Sequence, residues 1–277
     1  MRRDSLAEVR GRTCKPLDAW WTVLLVDPYA VRLVRLVSPW RWVTPNRLTA
    51  LSAVLGLGAA ICFVAPGRWW PAAGALLFHL AFVADCMDGK LARLRGDGSL
   101  FGAWCDFMLD RVRAIVCAAA LMGGQYLRTG EVRYLWLVAL VIAVDLMRYL
   151  NGGQVAQVRE AALQGRTAYA IGAESRRGRL KTALAARRIR VHLFSGIEFE
   201  MTVFVIGPLI GLVGGAALIG GAALAAAALL VIFELRLVHH LWLVTRLSPV
   251  HSVPTASGSV RHSMSPEASL IRQPAGG

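Results

Sequence analysis

Apolar residues along this chain come in long runs, each close to the length of a membrane crossing, with polar residues gathered between them. A crossing takes about 20 apolar residues at a helical rise of about 1.5 Å each. The pattern predicts spans over 46–65, 70–89, 100–122 and 132–150, and a fifth that starts near Met201. The apolar stretch from Met201 to Phe233 is too long for one crossing. Paired glycines favour a turn, so Gly214-Gly215 or Gly220-Gly221 is expected to divide it, and a sixth span then ends near Leu243. The expected fold is an all-α polytopic membrane protein with six transmembrane helices.

Two segments fall outside that pattern. From Pro28 to Trp42, Tyr29, Val31, Leu33, Val34, Leu36 and Val37 mix with Arg32 and Arg35, and Trp40 and Trp42 follow. This predicts an amphipathic helix lying at the membrane interface. Residues 248–277 are rich in Ser, Pro and Gly and read as a disordered tail. The expected organisation is a basic cytoplasmic arm with a juxtamembrane helix (1–43), a six-helix membrane domain (44–246) and the tail (247–277). The first 18 residues are polar and basic with no apolar core, so no cleavable signal peptide is expected.

Composition agrees with the runs. Hydrophobic residues make up 56% of the 277 and charged residues 17%, against about a quarter charged in a typical soluble domain. Mean hydropathy is +0.51. The net charge of +14 could suit nucleic acid, but its distribution suits a membrane. Arg2, Arg3, Arg10, Arg12, Lys15, Arg32, Arg35 and Arg41 precede the first span. Lys90, Arg93 and Arg95 follow the second. Arg159, Arg166, Arg176, Arg177, Arg179, Lys181, Arg187, Arg188 and Arg190 follow the fourth. The other connections hold only Arg68, then Arg128 and Arg133. Cytoplasmic loops carry the excess of Lys and Arg, so both termini are expected in the cytoplasm of a multi-pass protein of the cell membrane, with no nucleic-acid partner. Cys14, Cys62, Cys86, Cys105 and Cys117 form no CxxC spacing; they read as small apolar residues rather than a disulfide or zinc framework.

Chemistry concentrates where the second span hands over to the third. Asp85 and Asp88 are three apart, and Asp106 and Asp110 four apart, so each pair shares a helix face. Gly102 lies one turn back on the Asp106 face, and Gly89 and Ala92 leave similar room on the second helix. An acid at mid-bilayer costs about 2.5–3.5 kcal/mol, and like charges on one face add to that. Two divalent cations would neutralise four carboxylates, and oxygen ligands suit magnesium or manganese. Ion pairs with Lys90, Arg93, Arg111 and Arg113 are the competing reading. An ion-coupled transporter, with its acids binding cations, is a second class of function; against it, the acids cluster near one face, and no inverted repeat is visible. The topology places these acids at the cytoplasmic side, reachable from both water and lipid.

The same residues carry a resemblance. Asp85-x2-Asp88-Gly89-x2-Ala92-Arg93-x8-Gly102-x3-Asp106-x3-Asp110 resembles the signature of the CDP-alcohol phosphotransferase family, with eight fixed positions met across 26 residues. Thr44-Pro45-Asn46, followed by Thr49, is similar to that family's approach to its first span. The resemblance implies that Asp85, Asp88 and Asp106 hold the metal ions (Mg2+ or Mn2+, two of them), with Asp110 contributing to one and also acting as general base. Asn46, Thr49, Asp85, Asp88, Gly89, Ala92, Arg93 and Gly102 would contact the CDP group. It further implies a CDP-alcohol donor such as CDP-diacylglycerol, an alcohol or polyol-phosphate acceptor, release of CMP in phospholipid synthesis, and a homodimer.

Elsewhere the signals are weaker. Asp145 and Arg148 are expected to pair locally or to meet an acceptor phosphate. Arg176 to Arg190 read as topology-setting charge or as a grip on anionic groups. Glu198 and Glu200 read as ordinary helix-start acids. His239 and His240 read as interfacial side chains, and Arg68, Trp69 and Trp70 as an interfacial anchor.

Overall fold

The computed structural model describes residues 5–164, 184–190 and 194–246. Arg166, the arginines from Arg176 to Arg179, Lys181 and the expected tail lie outside them. The described residues are almost wholly helical: α1 (Leu6–Thr13), a π-helical turn (Thr22–Val26), α2 (Asp27–Val37), α3 (Pro45–Val64), α4 (Trp70–Arg95), α5 (Leu100–Thr129), α6 (Arg133–Gln164), α7 (Gly196–Met201), a second π-helical turn (Thr202–Ile206) and α8 (Gly207–Arg246).

Local sequence sets the ends. Thr44 accepts from the Arg47 N–H and Pro45 fills the first helical position, where its missing N–H costs nothing. Ser99 caps α5 by accepting from the Gly102 N–H. Gly96 and Gly130 end α4 and α5 at φ 73° and 71°, the left-handed conformation that glycine adopts without a Cβ clash. At the start of α7, the N–H and the hydroxyl of Ser195 both donate to Glu198 Oε2.

Among the described residues, four stretches are long and apolar enough to cross a membrane: Pro45–Val64, Trp70–Arg95, Arg133–Val158 and Gly196–Leu243. The last, 48 residues long, is broken inside. Gly215 has φ 65° and ψ −153°, a backbone region that is essentially glycine's alone. A Cβ on Gly207 would meet the Ala222 Cβ at 3.4 Å, and one on Gly211 would press on the Ile219 side chain. Those contacts pair positions at nearly equal distances before and after Gly215, so α8 doubles back there as a helical hairpin. Of the two expected break points, it is the first that turns. α5 is 30 residues long but carries Asp106, Asp110, Arg111 and Arg113, which lower its apolar character. Arg111 and Arg113 are buried in the protein.

The helices overrun the expected spans: α4 to Arg95, α5 to Thr129 and α6 to Gln164. Hydropathy marks only the apolar part of a helix, whereas hydrogen bonding carries the helix on until a cap or turn stops it. The helix expected over Pro28–Trp42 stops sooner, at Val37. The chain then turns, and Arg95 binds the carbonyls of Ser38, Trp40 and Val43.

The core lies between α3, α4, α5 and the α8 hairpin. The Phe78 and Phe204 rings stand 4.7 Å apart, with Phe63 6.4 Å from Phe204. Leu51, Val54, Leu57 and Ile61 run exposed along the outer side of α3. An apolar surface of that extent, left bare in water, marks a membrane or partner contact. At the α4 end of the molecule, Asp18 and Ile189 form a parallel bridge. Arg188 reaches the Lys15 carbonyl and Asp27 Oδ2 (3.1 Å), and Asp27 Oδ1 is 2.9 Å from Lys90 Nζ. All five cysteines are free thiols.

Candidate active site

The four acids converge because the Gly96–Ser99 turn sets the last turns of α4 beside the first turns of α5. One carboxylate oxygen from each of Asp85, Asp88 and Asp106 lies within 4.8 Å of the others. Oxygens bound to one hard divalent cation at 2.0–2.6 Å stand up to about 4–5 Å apart across it. Asp106 Oδ1 is buried with no hydrogen-bond partner, and such an oxygen is stable only with a counter-charge. The donor set is all carboxylate, which suits magnesium, calcium or manganese. On all three counts these residues fit a divalent ion.

Asp110 stands one turn further along α5. Its Oδ1 is 2.6 Å from Nη2 of Arg113, three residues on. Nη1 of Arg113 is 3.6 Å from Asp85 Oδ1 and donates to Ser52 Oγ at 2.6 Å. Of the four cations weighed as ion-pair partners of the acids, Lys90, Arg93, Arg111 and Arg113, only Arg113 pairs with them among the described residues. Arg111, two residues earlier, points about 200° round the helix. It binds Asp145 Oδ2 (2.5 Å) and Glu200 Oε1 (2.9 Å), and its Cζ lies 3.6 Å from the Tyr149 ring centre.

The other expected residues surround the acids. The Thr49 hydroxyl is 2.5 Å from Asp88 Oδ2 and 3.1 Å from the Pro45 carbonyl. It donates to a carboxylate that is only 4% exposed. Asn46 faces Gly102, its Oδ1 4.0 Å from where a Cβ would stand. Arg93 donates from Nε to the Thr13 carbonyl (2.8 Å) at the end of α1. Its terminal nitrogens lie over Gly89, 3.5 and 3.8 Å from where a Cβ would stand. The last turn of α4 is held from the same side, where Arg12 binds the Leu94 carbonyl. Ala92 is partly buried and faces the Gly98 turn.

Two local expectations are corrected. Asp145 and Arg148 do not pair: Asp145 binds Arg111, while Arg148 Nε lies 3.1 Å from Glu234 Oε1, which sits opposite on α8. Spacing along one helix cannot reveal a partner on another. Glu200 is no ordinary helix-start acid; it is 4% exposed and committed to Arg111. Sequence reasoning also missed Ser52 and Asp27, since a lone serine in an apolar run carries no signal of its own. Arg113 had one, its i,i+3 spacing from Asp110.

Known proteins resemble part of this chain. A phosphatidylinositol phosphate synthase of Corynebacterium glutamicum is 39% identical over 90 residues, 32% of this chain and 37% of that protein. A CDP-diacylglycerol–glycerol-3-phosphate 3-phosphatidyltransferase of Cereibacter sphaeroides is 39% identical over 83 residues, 30% of this chain and 38% of its own length. The enzyme of the same name from Escherichia coli K12 is 33% identical over 104 residues, 38% of this chain and 53% of its own. The chain thus matches less than two thirds of each relative's length. The profile of the CDP-alcohol phosphatidyltransferases, in contrast, matches residues 42–233, from the turn before α3 to the second arm of the α8 hairpin, and on that match the chain belongs to the CDP-alcohol phosphatidyltransferase family.

Proposed function

We propose that the protein transfers a phosphatidyl group from a CDP-alcohol, CDP-diacylglycerol above all, to an acceptor hydroxyl and releases CMP. The observation that carries this reading is the meeting of Asp85, Asp88 and Asp106 within 4.8 Å, with Asp110 alongside. Asp85, Asp88 and Asp106 hold a divalent ion, magnesium or manganese. When bound, such an ion spreads the charge of the pyrophosphate and of the departing phosphate. Asn46, Gly89, Ala92, Arg93 and Gly102 form the bed for the CDP group. Gly89 and Gly102 let it approach the backbone, and Thr49 fixes the Asp88 carboxylate.

The acceptor oxygen attacks the β-phosphorus. A new O–P bond forms, the P–O bond to the CMP phosphate breaks, and its electron pair leaves with CMP. The acceptor proton passes to Asp110, on the oxygen that Arg113 does not hold. Asp110 can be general base only if it reaches the hydroxyl directly or through one water, and its side chain, 24% exposed, allows that.

Six crossings accompany this reading, with α5 and the two arms of the α8 hairpin each counted once. Both termini then face the cytoplasm of the cell membrane, in accord with the alternation of basic connections, and the family resemblance adds a homodimer. The site meets lipid and water together, as a lipid donor and a soluble acceptor require. The names of the relatives suggest glycerol 3-phosphate or inositol phosphate as acceptor. The test is CMP release by purified protein in detergent with CDP-diacylglycerol, Mg2+ or Mn2+, and glycerol 3-phosphate, inositol phosphate or serine in turn. CMP release with one of them is expected. Folded protein that releases none with any acceptor would sink the reading.

A further inference from the structure

We propose that Arg113 is a built-in cation of the carboxylate site. It takes the charge position of a second divalent ion, so that without donor the site binds one ion, on Asp85, Asp88 and Asp106, and Asp110 stays off the metal. The inference rests on the metal-assisted reading above and departs from the two ions that charge counting alone suggests.

The guanidinium is placed between the acids. Nη2 meets Asp110 Oδ1 at 2.6 Å and Nη1 meets Asp85 Oδ1 at 3.6 Å. Its housing is specific. The side-chain stem crosses α3 at Gly56, where a Cβ would come within 2.7 Å of Arg113 Cδ and 2.8 Å of Cγ. Ser52, one turn away on α3, accepts from Nη1 at 2.6 Å, and the Phe78 ring centre lies 5.6 Å from Cζ. Arg113 is 7% exposed. A long side chain packed in a groove cut to its shape has little freedom to swing away when an ion arrives.

The charges decide how many ions fit. Four carboxylates carry −4, and Arg113 makes the sum −3. One divalent ion leaves −1, whereas a second would leave +1 and would have to share Asp110 with a buried guanidinium. A guanidinium never loses its proton and offers only donors, so it cannot join the coordination shell and can only repel a neighbouring ion. Three other basic groups nearby are turned elsewhere: Arg111 to Asp145 and Glu200, Lys90 to Asp27, and Arg93 to Thr13. Asp110, the acid on which Arg113 closes, is also absent from the trio whose oxygens fall within one ion's reach.

Manganese alone, titrated into purified full-length protein in detergent without donor, tests this, with free Mn2+ read by its electron paramagnetic resonance signal. The native chain is expected to bind one ion. Asp110→Asn should keep that ion and Asp88→Asn should lose it. Arg113→Gln should bind two, and Arg113→Lys one. Two ions on the native chain would overturn the inference and leave the phosphatidyl-transfer reading intact; this count needs no variant to fold. Loss of the ion in Asp110→Asn, with folding verified by gel filtration, would also overturn it. No ion on the native chain would defeat the metal-assisted reading itself.

Discussion

Arg111 and Arg113 sit two residues apart on one helix, both are 7% exposed, and each meets two carboxylates. Yet they serve opposite ends. Arg113 turns toward α3 and α4, into the cluster of acids expected to do chemistry. Arg111 turns toward α6 and α7 and ties three helices through Asp145, Glu200 and Tyr149. The 200° between them on the helix wheel, not any difference in residue type, assigns the roles. The Arg111 side fixes the rotation of α5, and that rotation presents Asp106 and Asp110 to Asp85 and Asp88. The same buried ion pairing is therefore structural on one side of α5 and part of the site on the other.

The contrast can be broken most forcefully at Asp110. Replacing the proposed base, Asp110→Asn, is expected to lower CMP release by about 10²–10⁴-fold while the thermal unfolding midpoint in detergent stays near that of the native protein. Retained turnover would remove Asp110 as the base. On the opposite side, Arg111→Met strands Asp145 and Glu200 without their cation. Breaking a buried pair in this way costs about 3–5 kcal/mol, so the unfolding midpoint should fall sharply. A variant that kept its midpoint yet lost turnover would move Arg111 from the fold to the chemistry. A smaller effect is expected at Gly56, where Gly56→Ala forces a methyl against the stem of Arg113. Overpacking of this kind costs about 1–3 kcal/mol, and here part of it should appear as lost turnover because the guanidinium shifts relative to Asp110; a purely thermal effect would argue that its exact position is unimportant. Least of all, Thr49→Val removes the hydroxyl that holds Asp88. Loss of such a supporting bond should weaken Mn2+ affinity by about 10-fold, measured by the same titration, with the folded state untouched. Unchanged affinity would show that Asp88 needs no such support.

Much of the site was legible because its residues lie close in sequence. Asp85, Asp88, Asp106 and Asp110 are two helical pairs either side of one turn, and a turn of four residues leaves neighbouring helix ends little choice but to meet. Thr49 and Asn46 required a third helix, and only the likeness to a known signature pointed to them. The α8 hairpin was half legible: length demanded a break, but two glycine pairs competed for it. Gly215 takes the turn because the residues flanking it pack, with Gly207 and Gly211 admitting Ala222 and Ile219, and that fit depends on two helix faces meeting. The pairing expected of Asp145 with Arg148 failed for the same reason, since each found its partner across a helix boundary.

The sequence by itself determined the membrane class, the long apolar helices and the identity of the acids, since those depend on composition and on spacing within single helices. What only the tertiary structure decided is which charge answers which. Arg113 joins the acids, Arg111 leaves them for Asp145 and Glu200, and Lys90 goes to Asp27. The physical reason is range. Hydropathy and helical periodicity are properties of neighbours along the chain, whereas a buried charge must find its counter-charge wherever packing brings one within a few ångströms.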